Sequence, residues 1–253
     1  MKIVISPAKS LQLDGVLPAV EFTQPVFLNE AAQVNTVLRK KSVKALGALM
    51  GISENLSNLN WQRNQEFQLP FRPTNARPAV YTFSGDVYQG LDVGTLQAAK
   101  IPVMQERLRI LSGLYGWLRP LDLIQAYRLE MGTTLKIGSN KDLYAFWKTK
   151  ITAAINEEMA QDDLLVNLAS NEYFKAIDAK KIDATIVSPQ FKDYKNGQLK
   201  IISFFAKKAR GVMARYLLET NAKNIEDVLA FAEDGYRYSE ADTKDALQPV
   251  FVR

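Results

Sequence analysis

The sequence predicts a mixed α/β protein: a single compact domain over residues 1–253, with a central sheet flanked by helices and a helix-hairpin-helix-like element. Three observations carry this. Short runs rich in β-branched and aromatic residues are bounded by polar turns, which is a strand signal. Between them lie segments whose apolar residues recur three and four positions apart, the period of a helix packed on one side. No long Gly/Ser/Pro linker, internal repeat or low-complexity tract divides the chain.

Taken in order, the predicted strands are Lys2 to Ile5, Ala79 to Phe83, Leu164 to Val166, Ala184 to Val187 and Leu199 to Phe204. The clearest helical spacings run from Pro102 to Leu111, Asp142 to Met159 and Ala206 to Leu218. Several strands lead straight into polar loops: Ser6-Pro7-Ala8-Lys9, Ser84-Gly85-Asp86, and Asn167 through Asn171. Ligands gather beyond the carboxyl ends of strands in open α/β sheets. These three loops would therefore share one cleft if their strands are neighbours.

Composition narrows the chemistry. With 47% hydrophobic residues, 253 residues can bury a sizeable core. No apolar run approaches the roughly 20 residues that span a bilayer, and the apolar stretch at MKIVISPAKS is too short for a signal peptide. A cytoplasmic location without membrane contact is the expectation. With no cysteine and no histidine, disulfides, thiol chemistry, thiolate or imidazole metal ligands and the usual general base are excluded. Carboxylate-only metal sites and acid–base work by Asp, Glu, Lys or Tyr remain open, but no motif points to a metal or a cofactor. A net charge of +5 makes an anionic partner such as DNA plausible. The charge is uneven: Arg39, Lys40, Lys41 and Lys44 lie in a stretch without acids, whereas residues 224–253 carry seven acidic against three basic side chains and form an acidic C-terminal tail. That tail is not expected to face DNA.

Four segments are candidates for function. Residues 42–63, SVKALGALMGISENLSNLNWQR, read as a helix, a Gly-containing turn and a second helix, with Leu46, Leu49, Ile52, Leu56 and Leu59 as a shared apolar seam. Gly51 suits a left-handed turn and Ser53 the following N-cap. A helix-hairpin-helix holds a DNA phosphate on backbone N–H groups without reading sequence; here Ser53 stands where a second glycine is typical, and Glu54 sets an acid beside that place. A plain helical hairpin packed on the sheet is the alternative.

The second segment, from Phe205 to Tyr216, carries Lys207, Lys208, Arg210 and Arg215 around a strand-to-helix junction, either as a DNA contact or as a solvated, paired face. In the third, residues 111–132, Arg119, Asp122, Tyr127, Arg128 and Glu130 either stabilise a long ordered loop or line a pocket for a nucleotide, base or phosphate, joined there by Lys9, Asp86, Tyr88, Lys175 and Lys207. The fourth, Asn171 to Lys175, adds a carboxylate and a lysine; a lysine perturbed by burial acts as a base or amine nucleophile. Asp86, Arg128, Glu130 and Lys175 are thus the candidate catalytic residues, with Tyr88, Tyr115, Trp117 and Tyr127 as candidate aromatic walls for a flipped base.

The segments ISPAKSL, FSGDVYQGL, LSGLYGWLRPLDLIQAYRLEMG, KDLYAFW, NLASNEYFK and IISFFAKKARGVMARYL together resemble the YaaA peroxide-stress-response family, from Met1 to about Tyr238. The resemblance implies a cytoplasmic protein of the hydrogen peroxide response that limits free intracellular iron, and hence oxidative damage, and binds DNA; the hairpin and basic patches make structure-guided binding of duplex or branched DNA, with little base specificity, the leading expectation. The resemblance further implies a helix-hairpin-helix-like element at 42–63 and a positively charged cleft. The DNA-binding candidates are then Lys9, Lys40, Lys41, Lys44, Gly51, Ile52, Ser53, Lys207, Lys208, Arg210 and Arg215. The alternative is an enzyme acting on a nucleotide or damaged base in the polar pocket. Iron held directly by the protein would have oxygen ligands only.

Overall fold

The computed structural model describes residues 1–15, 17–18 and 21–253. The chain opens with β1 (Lys2–Ile5) and β2 (Ser10–Leu11), then runs through α1 (Leu28–Arg39), α2 (Val43–Met50) and α3 (Glu54–Glu66). Short pieces follow: β3 (Arg77–Pro78), α4 (Ala79–Thr82), β4 (Phe83–Ser84) and α5 (Asp86–Leu91). They lead to α6 (Ile101–Arg107), β5 (Leu108–Ser112), β6 (Gly116–Leu118), β7 (Leu123–Ile124) and α7 (Leu143–Glu158). The remainder comprises β8 (Leu164–Leu168), α8 (Asn171–Phe174), β9 (Thr185–Val187), β10 (Gln190–Lys195), β11 (Gln198–Lys200), α9 (Ser203–Glu219), α10 (Ile225–Leu229), β12 (Arg237–Tyr238) and β13 (Val250–Val252).

The fold is mixed α/β, as the alternation of strand and helix signals predicts. Its main sheet has the order β6-β5-β1-β8-β9, parallel except where β6 turns back on β5. Interior parallel strands are covered on both faces and need continuous apolar runs. Ile3, Val4, Ile5, Leu108, Ile110, Leu165 and Val166 are accordingly all solvent-inaccessible. A second sheet, β11-β10-β13-β12, is built around Phe191 and Phe251, whose rings stack 5.6 Å apart. The acidic C-terminal segment is therefore not a loose tail: β12 and β13 belong to this sheet, and Arg253 is bonded to Asp193 at 2.8 Å.

Several element boundaries differ from the sequence reading. Ala79 to Thr82 is a helical turn rather than a strand, because loop carbonyls accept its first N–H groups: Ala79 donates to Asp122 and Val80 to Pro120, each at 2.9 Å. The helix predicted to Leu111 stops at Arg107. Leu108–Ser112 is buried throughout and pairs with β1, so burial between strands overrides an apolar spacing that also fits a helix. Likewise, β11 ends at Lys200 and α9 already starts at Ser203.

The hairpin at 42–63 has the predicted caps. Gly51 is left-handed (φ 62°), the Ser42 hydroxyl accepts from Ala45 N–H and the Ser53 hydroxyl from Leu56 N–H. Its seam is not the predicted one, since Leu56 and Leu59 are exposed and α3 instead buries Ser57, Asn60 and Asn64. A Cβ on Gly47 would stand 2.5 Å from Ser57 Oγ, so α2 and α3 meet where a glycine faces a small polar residue.

Candidate functional site

The order of the main sheet creates a place for a ligand. From β1 the chain leaves to β5 on one side; from β8 it leaves to β9 on the other. The border between β1 and β8 is thus a topological switch point, where loops at the carboxyl ends diverge and leave a crevice. A cavity of about 410 Å³ lies there, lined by Ser6, Lys9, Ser84, Asp86, Tyr88, Ser170, Glu172, Tyr173, Lys207 and Arg210 among others. The three polar loops singled out in the sequence do border one cleft.

Hydrogen bonds tie the cleft walls together. Ser170 N–H donates to Ser6 Oγ at 2.9 Å, and the buried Tyr88 hydroxyl donates to the Ser6 carbonyl at 3.1 Å. Glu172 Oε1 accepts from Gly132 N–H at 3.0 Å, linking the central segment to α8. Burial pushes the Tyr88 and Tyr173 phenols above their ordinary range, so both are neutral hydrogen-bonding groups.

The opposite wall depends on a close helix crossing. A Cβ at Gly211 would lie 1.9 Å from the Val87 carbonyl oxygen, and one at Gly90 would lie 2.2 Å from that of Lys208. Only glycine lets α5 and α9 approach this far. The crossing carries Asp86 on α5 and Lys207 and Arg210 on α9 to the same cavity. Desolvation holds the Arg210 guanidinium below its ordinary pKa. Among the described residues, neither Lys207 nor Arg210 has a carboxylate within 4.0 Å, whereas Lys9 pairs with Glu130 at 2.8 Å. The cleft thus combines two uncommitted cations with the acids Asp86 and Glu172, a combination suited to an anionic ligand that also offers hydrogen-bonding edges.

The other candidates fall elsewhere. Glu130 reaches the cleft through Lys9 and is bonded by Arg128 at 3.2 Å, while Arg128 does not line the cavity. Lys175 is exposed at the end of α8, outside the lining. Lys208 pairs with Asp234, and Arg215 bonds the Leu91 and Asp92 carbonyls, Thr95 and Glu219, which fixes α9 to the loop after α5. Lys40 and Lys44 are exposed and Lys41 half-buried; they, Gly51, Ile52 and Ser53 belong to the hairpin region and not to the cleft. Arg39 is spent on backbone carbonyls, including Asn64 at 3.3 Å and Phe67 at 3.0 Å.

Of the four aromatic residues proposed as base-holding walls, Tyr115 and Trp117 are core groups, the latter bonded to Glu158, and Tyr127 packs edge-on against Tyr115 at 5.3 Å. Tyr88 alone of the four lines the cleft. Ser6 and Ser170 also line the cleft although no motif marks them; their one signal in the sequence is their place just past a buried strand.

Comparison with known proteins agrees on one family. The sequence model of a family described as peroxide stress protein YaaA matches residues 1–242. A UPF0246 protein of Flavobacterium johnsoniae is 54% identical over the full length of both chains, and one of Alteromonas mediterranea is 51% identical over all of this chain and 98% of its own.

Proposed function

The chain belongs to the peroxide stress protein YaaA family, and from that premise we propose that it binds DNA during the response to hydrogen peroxide, following backbone shape and charge with little base specificity. The observation that carries this is the switch-point cleft, with Lys207 and Arg210 lacking ion-pair partners among the described residues. An arginine stripped of water and left without an acid is costly unless an anion completes it. The phosphodiester backbone supplies one at every nucleotide. Apart from the cleft, exposed Lys40 and Lys44 with half-buried Lys41 supply cations at the hairpin, where Gly51 is left-handed and Ser53 caps α3, and backbone N–H groups at a helix N-terminus favour phosphate.

Protection of DNA and a limit on free iron follow as the cellular consequence, the iron effect being exerted indirectly because histidine and cysteine ligands are lacking. Fluorescence anisotropy of labelled duplex, single-stranded and four-way-junction DNA across salt tests the reading. Each neutralised phosphate of duplex DNA contributes about 0.9 to the log–log slope, so Lys40→Glu/Lys41→Glu and Lys207→Ala should both weaken binding and flatten the slope. No binding by the wild type at low salt overturns the proposal.

One observation favours a second reading, an enzyme acting on a nucleotide or damaged base. Asp86 and Glu172 share the cavity of about 410 Å³ with the two cations, a volume within the range of small-molecule pockets. Turnover of damaged nucleosides or lesion-bearing oligonucleotides that is abolished in Asp86→Asn, with DNA affinity retained, would establish it; binding without any product favours the first reading.

A further inference from the structure

The stretch from Tyr194 through Leu218 contains six Lys or Arg residues and no Asp or Glu. It forms the β10–β11 hairpin and most of α9, and at their junction the chain exposes large apolar groups. Phe204 and Ile201 are each 54% exposed and Phe205 is 38% exposed. Single exposed apolar side chains are normal, but adjoining ones such as Ile201, Phe204 and Phe205 form a patch of the kind that marks interaction sites. One face of Phe205 is already covered by the Arg253 guanidinium, 4.4 Å from its centroid, and Phe204 meets Phe205 edge-on at 5.7 Å. The pair is thereby held in place while Phe204 stays open to solvent.

The nearby acids Asp193 and Asp234 are taken up by Arg253 and Lys208, which leaves other cations of the segment unpaired. Among the described residues, Lys195, Lys200 and Lys207 have no carboxylate within 4.0 Å. In the hairpin register Lys200 stands opposite Asp193, so it and Lys195 project on the Asp193 side of the sheet, the side on which Arg253 bridges Asp193 and Phe205. Along α9, Phe204, Lys207 and Arg210 follow one another at intervals of three residues and form one stripe. With about 1.5 Å of rise per residue, the stripe covers about 9 Å, close to the span of one or two extended nucleotides, and it ends inside the cleft.

We propose that Phe204 is a stacking platform for an unpaired base of single-stranded DNA, with Lys207 holding the adjoining phosphate and the strand continuing toward Arg210 in the cleft. The proposal rests on the reading that this chain engages DNA, and specifies the strand state taken at this surface. A base supplies the π-face that an exposed phenyl ring lacks, and the backbone supplies the negative charge that the acid-free segment lacks. This pairing of aromatic and cation is how single strands are held irrespective of sequence.

The test compares wild type, Phe204→Ala, Phe204→Trp and Lys40→Glu/Lys41→Glu for binding to a labelled single-stranded oligonucleotide and to a blunt duplex of the same length, with circular dichroism verifying the fold. Loss of one stacked base should weaken single-strand binding of Phe204→Ala about tenfold, leave its duplex binding within about twofold, and be restored in Phe204→Trp. Unchanged single-strand affinity in Phe204→Ala, or an equal loss for both substrates, overturns the platform. If duplex binding survives that result, the DNA reading stands without it. If wild type binds neither substrate, both fall.

Discussion

Two carboxylates illustrate how single residues couple this fold to pH. Burial pushes the Asp122 carboxyl above its ordinary value of 3.8, although Thr23 Oγ1 donates to it at 2.5 Å and Arg119 N–H at 2.8 Å. The Asp163 carboxyl is held below that value, first by the donated Ala160 N–H and then by the Met1 ammonium at 3.1 Å. The raised group contributes stability that is complete below its unfolded pKa and lost as pH rises through the folded one. The depressed group contributes stability above its unfolded pKa that is lost as pH falls through the folded one. Urea titrations between about pH 3 and about pH 7 should therefore find that Asp163→Asn lacks part of the wild-type loss of stability below about pH 4. At neutral pH, Asp122→Ala leaves the Thr23 hydroxyl and the Arg119 N–H without their acceptor, at a cost of about 1–3 kcal/mol. A melting temperature equal to wild type would contradict that assignment.

Between elements, glycines decide how closely helices approach. Gly211→Ala sets a methyl group against the backbone of Val87 and Leu91, where no side chain is available to yield, so α5 and α9 must separate. Overpacking of this kind costs about 1–3 kcal/mol or more, read as a fall of about 2–4 °C per kcal/mol in thermal melts followed by circular dichroism. DNA affinity should fall with it, because Asp86 and Lys207 lose their spacing. Gly94→Ala, where an added Cβ meets nothing within 4 Å, is the control and should melt like wild type. Gly51→Ala strains a left-handed turn at φ 62° and should cost about 1 kcal/mol without touching the cleft. The hairpin was legible in sequence because its turn is local: a glycine then a serine N-cap. Its packing face was not legible, since Ser57, Asn60 and Asn64 are buried through contacts supplied by other helices, as where Asn35 Nδ2 donates to the Asn64 carbonyl at 3.1 Å.

For the molecule as a whole, the candidate cleft is where a buried charge lacks compensation. Arg210 loses solvation and gains no carboxylate among the described residues. Arg210→Met should therefore hold or raise the melting temperature while weakening DNA binding, because an uncompensated charge is exchanged for an apolar group of similar length. A melting temperature lowered by more than about 3 °C would identify Arg210 as a structural residue instead. Oligonucleotide at about 100 times its Kd should stabilise wild type by about 2.7 kcal/mol and the variant by less, since only the folded state presents the site.

By itself, the sequence determined the mixed α/β class, the identity of β1, β8 and β9, the long helices α7 and α9, the hairpin caps at Gly51 and Ser53, and the family. Each of these is written in local periodicity, turn chemistry or motif identity. Tertiary structure decided the rest. It turned Ala79–Thr82 into a helix, Leu108–Ser112 into an inner strand and the acidic C-terminal segment into part of a sheet. It also brought Ser6, Asp86, Ser170, Glu172, Lys207 and Arg210 to one cavity. Backbone partners and burial from residues distant in the chain made these choices, as β1 selecting both β5 and β8 shows. Local propensity cannot encode such pairings, because their free energy exists only once the distant strands have met.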